Sequence, residues 1–485
     1  MSLKNVAVGG VFWTFLQQFG SQIINFGVSI VLARLLLPKD FGTIALMDII
    51  MGVGSVIVSS GLTNSLIRTK DADDRDYSTV FYFNLIASVV IYAITYILAP
   101  YLADFYDLPI LVPLTRVYCL SFIIGAFSTV QATVLTKAME FKKLMQISIP
   151  SLLMSGVVGV LMAYSGYGVW SLIGSSLTLQ IVKTVQFWYF SEWKPKIIFD
   201  YGKLKEHFAF GSNMLVAALI NIVFQNGYTL IIGKMYSFSE LGYYNRANSI
   251  KDLPVNNISN ALNKVSFPLF AKIKDDNITL RRAYIKLMKM VVFIVAPIMF
   301  FIIVFAEPII LLLLTEKWLE VAPYLQILSL SAILYPIQFY NLNILSVKGR
   351  SDLYLRLDII KKVVIVIAIL TTINFGVIGL LWGQVMTSVI SLLINSYYSG
   401  KFINLDLIKQ LKMLMPSIFI SASVGGALYF IKKYFLSDFN DILIVLIGGF
   451  LFFSIYLVIN KVINNESLEE MILLIKERGN FKNKT

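Results

Sequence analysis

The sequence predicts an all-α polytopic membrane protein of about fourteen transmembrane helices, built as two repeat-related six-helix lobes with two further helices after them. Three observations carry that expectation. Of 485 residues, 57% are hydrophobic and 14% charged, with a mean hydropathy of +0.76, a composition foreign to soluble domains. Apolar runs long enough to span a bilayer recur along the whole chain, divided by short turns bearing Gly, Pro or Asp. The stretch 25–48, NFGVSIVLARLLLPKDFGTIALMD, also returns at 225–248 as QNGYTLIIGKMYSFSELGYYNRAN. At that offset Gly27 meets Gly227, Arg34 meets Lys234, Asp40 meets Glu240, Gly42 meets Gly242 and Asp48 meets Asn248. A repeat of that length in a membrane chain points to two related halves with a transport site between them.

In chain order the spans are expected near 9–33, 41–66, 79–100, 109–136, 147–165, 167–190, 207–233, 239–268, 287–306, 320–346, 358–374, 376–398, 412–431 and 441–460. The N-terminus is too long and lacks the small-residue cleavage pattern of a signal peptide, so it reads as a retained first helix. Residues 1–200 then form an N-terminal lobe and 201–400 a C-terminal lobe. Residues 401–462 add the last two helices, and 463–485 a short amphipathic or frayed tail. The halves match again at the outer turns GYGVWSL (166–172) and NFGVIGL (374–380), and at ATVLTKAMEFKK and LNILSVKGRSDL before two inner loops.

With both termini cytoplasmic, thirty Lys and Arg fall on inner segments and their adjoining helix ends, against six on outer ones. That bias sets the orientation and accounts for the net charge of +13 without nucleic acid. Span 239–268 is polar, yet laying it on the surface would turn the basic segments 272–289, 348–362 and 401–412 outward. It is therefore kept as a crossing.

Several chemistries are excluded early. One cysteine, Cys119, permits no internal disulfide and no cysteine-based metal cluster. One histidine, His207, leaves little scope for histidine catalysis or a histidine metal site, and reads as an interfacial side chain where a helix enters the membrane. No P-loop and no long loop is present, so neither an intrinsic ATPase nor a soluble catalytic domain is expected, and no cofactor or metal is called for.

The polar residues inside spans carry the functional signal, because an ionisable group at mid-membrane costs about 2.5–3.5 kcal/mol on insertion scales and normally lines a wet cavity. Asn245, Asn248, Ser249, Asp252, Asn256, Ser259, Asn260 and Asn263 recur at helical spacing as one stripe of the eighth span, with Ile250, Leu253, Ile258 and Leu262 opposite. Arg246, Lys251 and Lys264 add cations, and Pro254 is expected to kink the helix. Lys264, nearest the inner surface, has snorkelling as its alternative. Tyr243 and Tyr244 stand beside the stripe, placed to stack on sugars. In the second span Asp48 is the candidate ion-coupling residue; it either faces Arg246 across a central cavity or belongs to a local pair elsewhere. Arg34 and Lys234 hold equivalent places in the repeat, either attracting an anionic headgroup or anchoring helix ends. Arg116, two turns into the fourth span, is better placed to line a cavity than Lys183 near the inner end of the sixth.

VLARLLLPKDFGTIAL, the GYGVWSL turn and ATVLTKAMEFKKL together resemble the Wzx-type polysaccharide flippases, in the WzxC/TuaB-like branch of the multidrug/oligosaccharidyl-lipid/polysaccharide exporter superfamily. The likeness covers the first twelve spans. It implies a MATE-like, V-shaped pair of six-helix lobes working by alternating access in the bacterial inner membrane. It also implies an undecaprenyl-diphosphate-linked oligosaccharide moved from the cytoplasmic to the outer leaflet, with polysaccharide polymerase and assembly proteins as partners. A diphosphate needs cations in a low-dielectric path, which Arg246, Lys251 and Arg116 would supply, while the asparagines and serines of the eighth span would bond sugar hydroxyls. Two rivals stand beside this reading. A cation-coupled multidrug antiporter of the same superfamily wants buried carboxylates, and five cations in spans outweigh Asp48, Asp252 and Asp358. A membrane glycosyl polymerase or ligase wants a long catalytic outer loop, and the outer loops here are short.

Overall fold

The computed structural model describes residues 3–59 and 61–473. The chain divides into two compact units, one ending at Gly242 and one beginning at Tyr243. The first unit holds α1 (Leu3–Leu35), α2 (Pro38–Ser59), α3 (Leu62–Arg68), α4 (Asp74–Phe105), α5 (Leu111–Tyr118), α6 (Leu120–Lys137), α7 (Phe141–Tyr164), α8 (Trp170–Phe190), α9 (Tyr201–Gln225) and α10 (Gly227–Met235). Helix α11 (Phe238–Lys272) begins in the first unit and continues in the second. The second unit then holds α12 (Asn277–Val304), α13 (Ala306–Leu313), α14 (Val321–Val347), α15 (Ser351–Thr372), α16 (Gly376–Ile403), α17 (Leu407–Phe435) and α18 (Asp441–Val462). No strand occurs among the described residues.

Every one of the fourteen expected intervals is occupied by a helix or a broken pair of helices. By length and apolarity alone, nine intervals among the described residues pass as membrane spans, and ten if the broken α9 counts. One of these, Ser351–Ile403, contains two helices, α15 and α16, which pack on each other across a break at 373–375. Helix α11 fails the test through its polar stripe. The chain is thus an all-α, multi-pass membrane protein.

Several helices start well before their apolar stretch: α4 at 74 rather than 79, α9 at 201 rather than 207, α12 at 277 rather than 287. Each is opened by an aspartate N-cap that periodicity does not reveal. Asp73, Asp200 and Asp276 each accept backbone N–H groups two and three residues on, and Asp73 forms a capping box with Asp76. The expected span 41–66 is interrupted at Gly61, which has a left-handed φ of 69°. A Cβ there would lie 2.8 Å from Gly211 Cα, so α9 passes too close for a side chain.

The 200-residue repeat is reproduced in the backbone. Helices α1 and α10 end at Leu35 and Met235, and α2 and α11 begin at Pro38 and Phe238. Asp40 accepts the Leu37 N–H at 3.0 Å, and Glu240 accepts the Ser237 N–H at 3.0 Å. The two equivalent glycines also meet. A Cβ on Gly42 would stand 1.9 Å from Phe238 O, and one on Gly242 would stand 2.0 Å from Pro38 O.

His207 departs from the interfacial reading. It is 1% exposed, its Nδ1 2.8 Å from Ser65 Oγ and its Nε2 3.1 Å from Asp76 Oδ1, so it ties α9 to α3 and α4. Lys203 adds a contact to Asp76 at 3.2 Å. The order Ser–His–Asp resembles a hydrolytic triad, with all three side chains buried. Their role is structural: buried polar groups must find partners. His207→Ala therefore costs about 1–3 kcal/mol, the penalty for leaving Asp76 and Ser65 short of partners, read as a lower melting temperature in detergent.

The second unit has a comparable knot. Tyr284 OH donates to Asn341 Oδ1 at 2.5 Å, Ser399 Oγ to the same oxygen at 2.6 Å, and Asn341 Nδ2 to Ser396 Oγ at 2.9 Å. Together with Gln410 these residues join α12, α14, α16 and α17.

After α18, residues 466–473 form a further helix that returns to α12 through Lys289–Glu466 at 2.5 Å and Lys286–Glu470 at 3.1 Å. The tail expected over 463–485 is thus partly docked, and 474–485 lie outside the described residues. The Lys289 ammonium holds the Glu466 carboxyl below the usual carboxylate range. A depressed carboxyl contributes above its unfolded value and stops contributing as pH falls through the folded one. Limited proteolysis of the tail should accordingly accelerate in acid, with Glu466→Gln already fast at neutral pH.

Candidate functional site

Helix α11 is continuous over 35 residues despite Pro254 and Pro268, and it positions most of the candidate residues. Arg246 lies eight residues in, about 12 Å along the axis. It is 8% exposed, and its Cζ is 5.5 Å from the Trp318 ring centroid. Trp318 is fully buried and edge-on to Tyr243, whose ring also meets Tyr324 at 6.4 Å. The buried cation is thus backed by an aromatic wall, whose ring faces attract it. Tyr243 and Tyr244 were expected to stack on sugars. In the structure Tyr243 belongs to this wall and Tyr244 is 5% exposed, so their rings serve packing.

Farther along, Lys251 is also 8% exposed, its Nζ 3.1 Å from Asp252 Oδ1. Asn245 and Asn248 are half-buried, whereas Asn256 and Lys264 are exposed. Asn263 accepts from Asn343 Nδ2 at 2.7 Å, which commits the inner part of the stripe to α14. Ser259 is buried, and its Oγ has no hydrogen-bond partner among the described residues.

The first unit has a polar group of its own. Asp48 on α2 is accessible and accepts the Tyr118 hydroxyl at 2.8 Å. Two residues before Tyr118 on α5, Arg116 lays its guanidinium 4.0 Å over the Tyr96 ring, and its Nε is buried without a hydrogen-bond partner among the described residues. Sequence reasoning singled out Asp48 and Arg116 but missed Tyr118 and Tyr96, because an aromatic in an apolar span carries no periodic signal of its own. Trp318 was missed for the same reason.

Arg34 is exposed at the end of α1. Lys234 is exposed as well, but it donates to Phe105 O and to Asp107 Oδ2 at 3.1 Å and lies 4.9 Å over the Phe105 ring. Of its two readings, this contact favours anchoring. Among the described residues, no three His, Cys, Asp or Glu side chains converge as a metal site would require.

A family described as polysaccharide biosynthesis protein matches residues 31–323, more than half the chain. The teichuronic acid biosynthesis protein TuaB of Bacillus subtilis (strain 168) is 27% identical over 373 residues, 76% of this chain and 77% of TuaB. The lipopolysaccharide biosynthesis protein WzxC of Escherichia coli (strain K12) is 24% identical over 404 residues, 82% of this chain and 81% of WzxC. Among solved structures, the lipid II flippase MurJ in its inward closed conformation superposes with a TM-score of 0.73 at 14% identity, covering 94% of this chain and 99% of that one. That last likeness establishes the fold.

Proposed function

Since this chain belongs to the polysaccharide biosynthesis protein family, we propose that it is a flippase for undecaprenyl-diphosphate-linked oligosaccharide repeat units. It carries them from the cytoplasmic to the outer leaflet of a bacterial inner membrane by alternating access. It is multi-pass with both termini cytoplasmic, and it supplies polysaccharide polymerase and assembly proteins. The names of its relatives place them in cell-surface polysaccharide synthesis, and its fold is one that a lipid-linked precursor flippase uses. The repeat, echoed in the helix boundaries, supports lobes at 1–200 and 201–400, with 401–462 and the tail 463–485 appended.

The observation that carries the reading is the buried cation of α11. Arg246 lies on α11, 8% exposed and against an aromatic wall. A desolvated guanidinium suits a diphosphate, which it engages with two parallel bonds. Lys251, Arg116, Arg34 and Lys264 are the further cations on the diphosphate's route, with Lys234 as an anchor. Asn245, Asn248, Asp252 and Asn256 serve sugar hydroxyls, and Asp48 is the ion-coupling residue. Two of the three acids a cationic drug would need are already matched: Asp252 with Lys251 at 3.1 Å, Asp358 with Lys362 at 2.8 Å. The deciding experiment reconstitutes the protein in proteoliposomes with a labelled undecaprenyl-diphosphate oligosaccharide and reads its exposure to an external quencher. Efflux of a cationic dye without glycan exposure would instead establish the multidrug antiporter.

A further inference from the structure

At the start of α12 the second unit has a cleft that the proposed transport path does not use. It encloses about 360 Å³ between the first turns of α12 and the end of α16, lined by Asn277, Arg281, Arg282, Asn404, Ile278 and Ile285, with Ile403 behind. The backbone around it is firmly held. Asp276 caps α12 through the N–H groups of Ile278 and Thr279 and the Thr279 hydroxyl. Lys348 at the end of α14 donates to Lys274 O and to Asn277 Oδ1. Asn404, in the left-handed region at φ 50°, closes α16.

Neither guanidinium has anything anionic bonded to it among the described residues, in contrast to several cations of the same unit. Lys286, Lys289, Lys361, Lys362 and Arg350 all have carboxylate partners within 4 Å. The acid acting on Arg282 is Asp276, whose carboxylate is already committed to the helix cap. On the side facing the apolar part of α12 the cleft is lined by Ile285. A polar cleft with two uncommitted arginines and an aliphatic side chain on its membrane side matches a phosphate headgroup joined to an acyl chain.

We propose that this cleft binds one anionic glycerophospholipid of the surrounding bilayer, its phosphate between Arg281 and Arg282 and its acyl chain running past Ile285 toward the apolar part of α12. The volume lies at the small end of ligand sites, suited to a glycerophosphate headgroup and not to a diphosphate with an oligosaccharide. The site therefore stands apart from the transported substrate, and flipping need not be intact for it to be filled.

The test is native mass spectrometry of the full chain released from nanodiscs of phosphatidylglycerol or of phosphatidylcholine, alongside thermal melting in detergent titrated with each lipid. Wild type retains one tightly held phosphatidylglycerol and is stabilised saturably by it, and phosphatidylcholine does neither. Arg281→Gln/Arg282→Gln retains one lipid fewer and needs about tenfold more lipid for the same shift, while its lipid-free melting temperature matches wild type because both side chains reach solvent. Ile285→Ser, which keeps both charges, weakens the lipid as well. Equal retention by wild type and the double variant would overturn the site. Inorganic phosphate stabilising as effectively as the lipid would overturn the assignment to a bilayer component.

Discussion

Arg246→Ala lowers the rate of glycan flipping in proteoliposomes by about thirtyfold or more. Truncating one partner of a desolvated, hydrogen-bonded charge pair costs about 2–5 kcal/mol, and each 1.4 kcal/mol is tenfold. The side chain is 8% exposed and backed by Trp318, so bulk water does not replace the lost charge at the proposed diphosphate site. Arg246→Lys keeps the charge but loses the planar fork, and its activity falls between the two. Protein yield and melting temperature are the controls, because alanine also removes a guanidinium from the Trp318 face. If flipping persists at the wild-type rate in well-folded Arg246→Ala, the transport function stands and the α11 site is discarded.

The second large effect falls on the repeat. Gly42→Ala and Gly242→Ala each place a methyl about 2 Å from a backbone carbonyl of the other helix's first turn, Phe238 O or Pro38 O. Backbone cannot rotate aside as a side chain does, so the starts of α2 and α11 must separate. The cost lies at or above the upper end of the about 1–3 kcal/mol typical of overpacking. Both variants should melt well below wild type, and by similar amounts, because the two contacts are reciprocal. Gly426→Ala is the control. It lies within α17 with open space around it, so the better helix propensity of alanine leaves the melting temperature unchanged or slightly raised. Equal melting of Gly42→Ala and Gly426→Ala would show that the helix starts are not in tight contact.

Much of this protein was legible in its residues. Hydrophobic run length located most of the long helices, because a bilayer imposes one length scale on them, while the polar α11 was placed by the charge of the loops after it. The repeat announced itself through Gly42 and Gly242, and through Asp40 and Glu240, because a close helix approach and a capped turn each restrict the residue type. Polar residues in the α11 stripe stood out because burial of charge is costly enough that such residues are rare.

Tertiary structure decided what those residues touch. It turned His207 from an interfacial side chain into the buried link between Ser65 and Asp76, partners 142 and 131 residues away. It gave Asp48 a phenol, Arg116 and Arg246 aromatic faces, and Lys234 an acid at the 105–107 turn. The physical reason is the reach of each constraint. Membrane insertion and helix capping act within about one helix length, so they leave a periodic or spaced trace in the chain. Partner choice for a buried polar group is satisfied by whichever donor or ring the packing brings near, at any sequence distance, and leaves no local pattern.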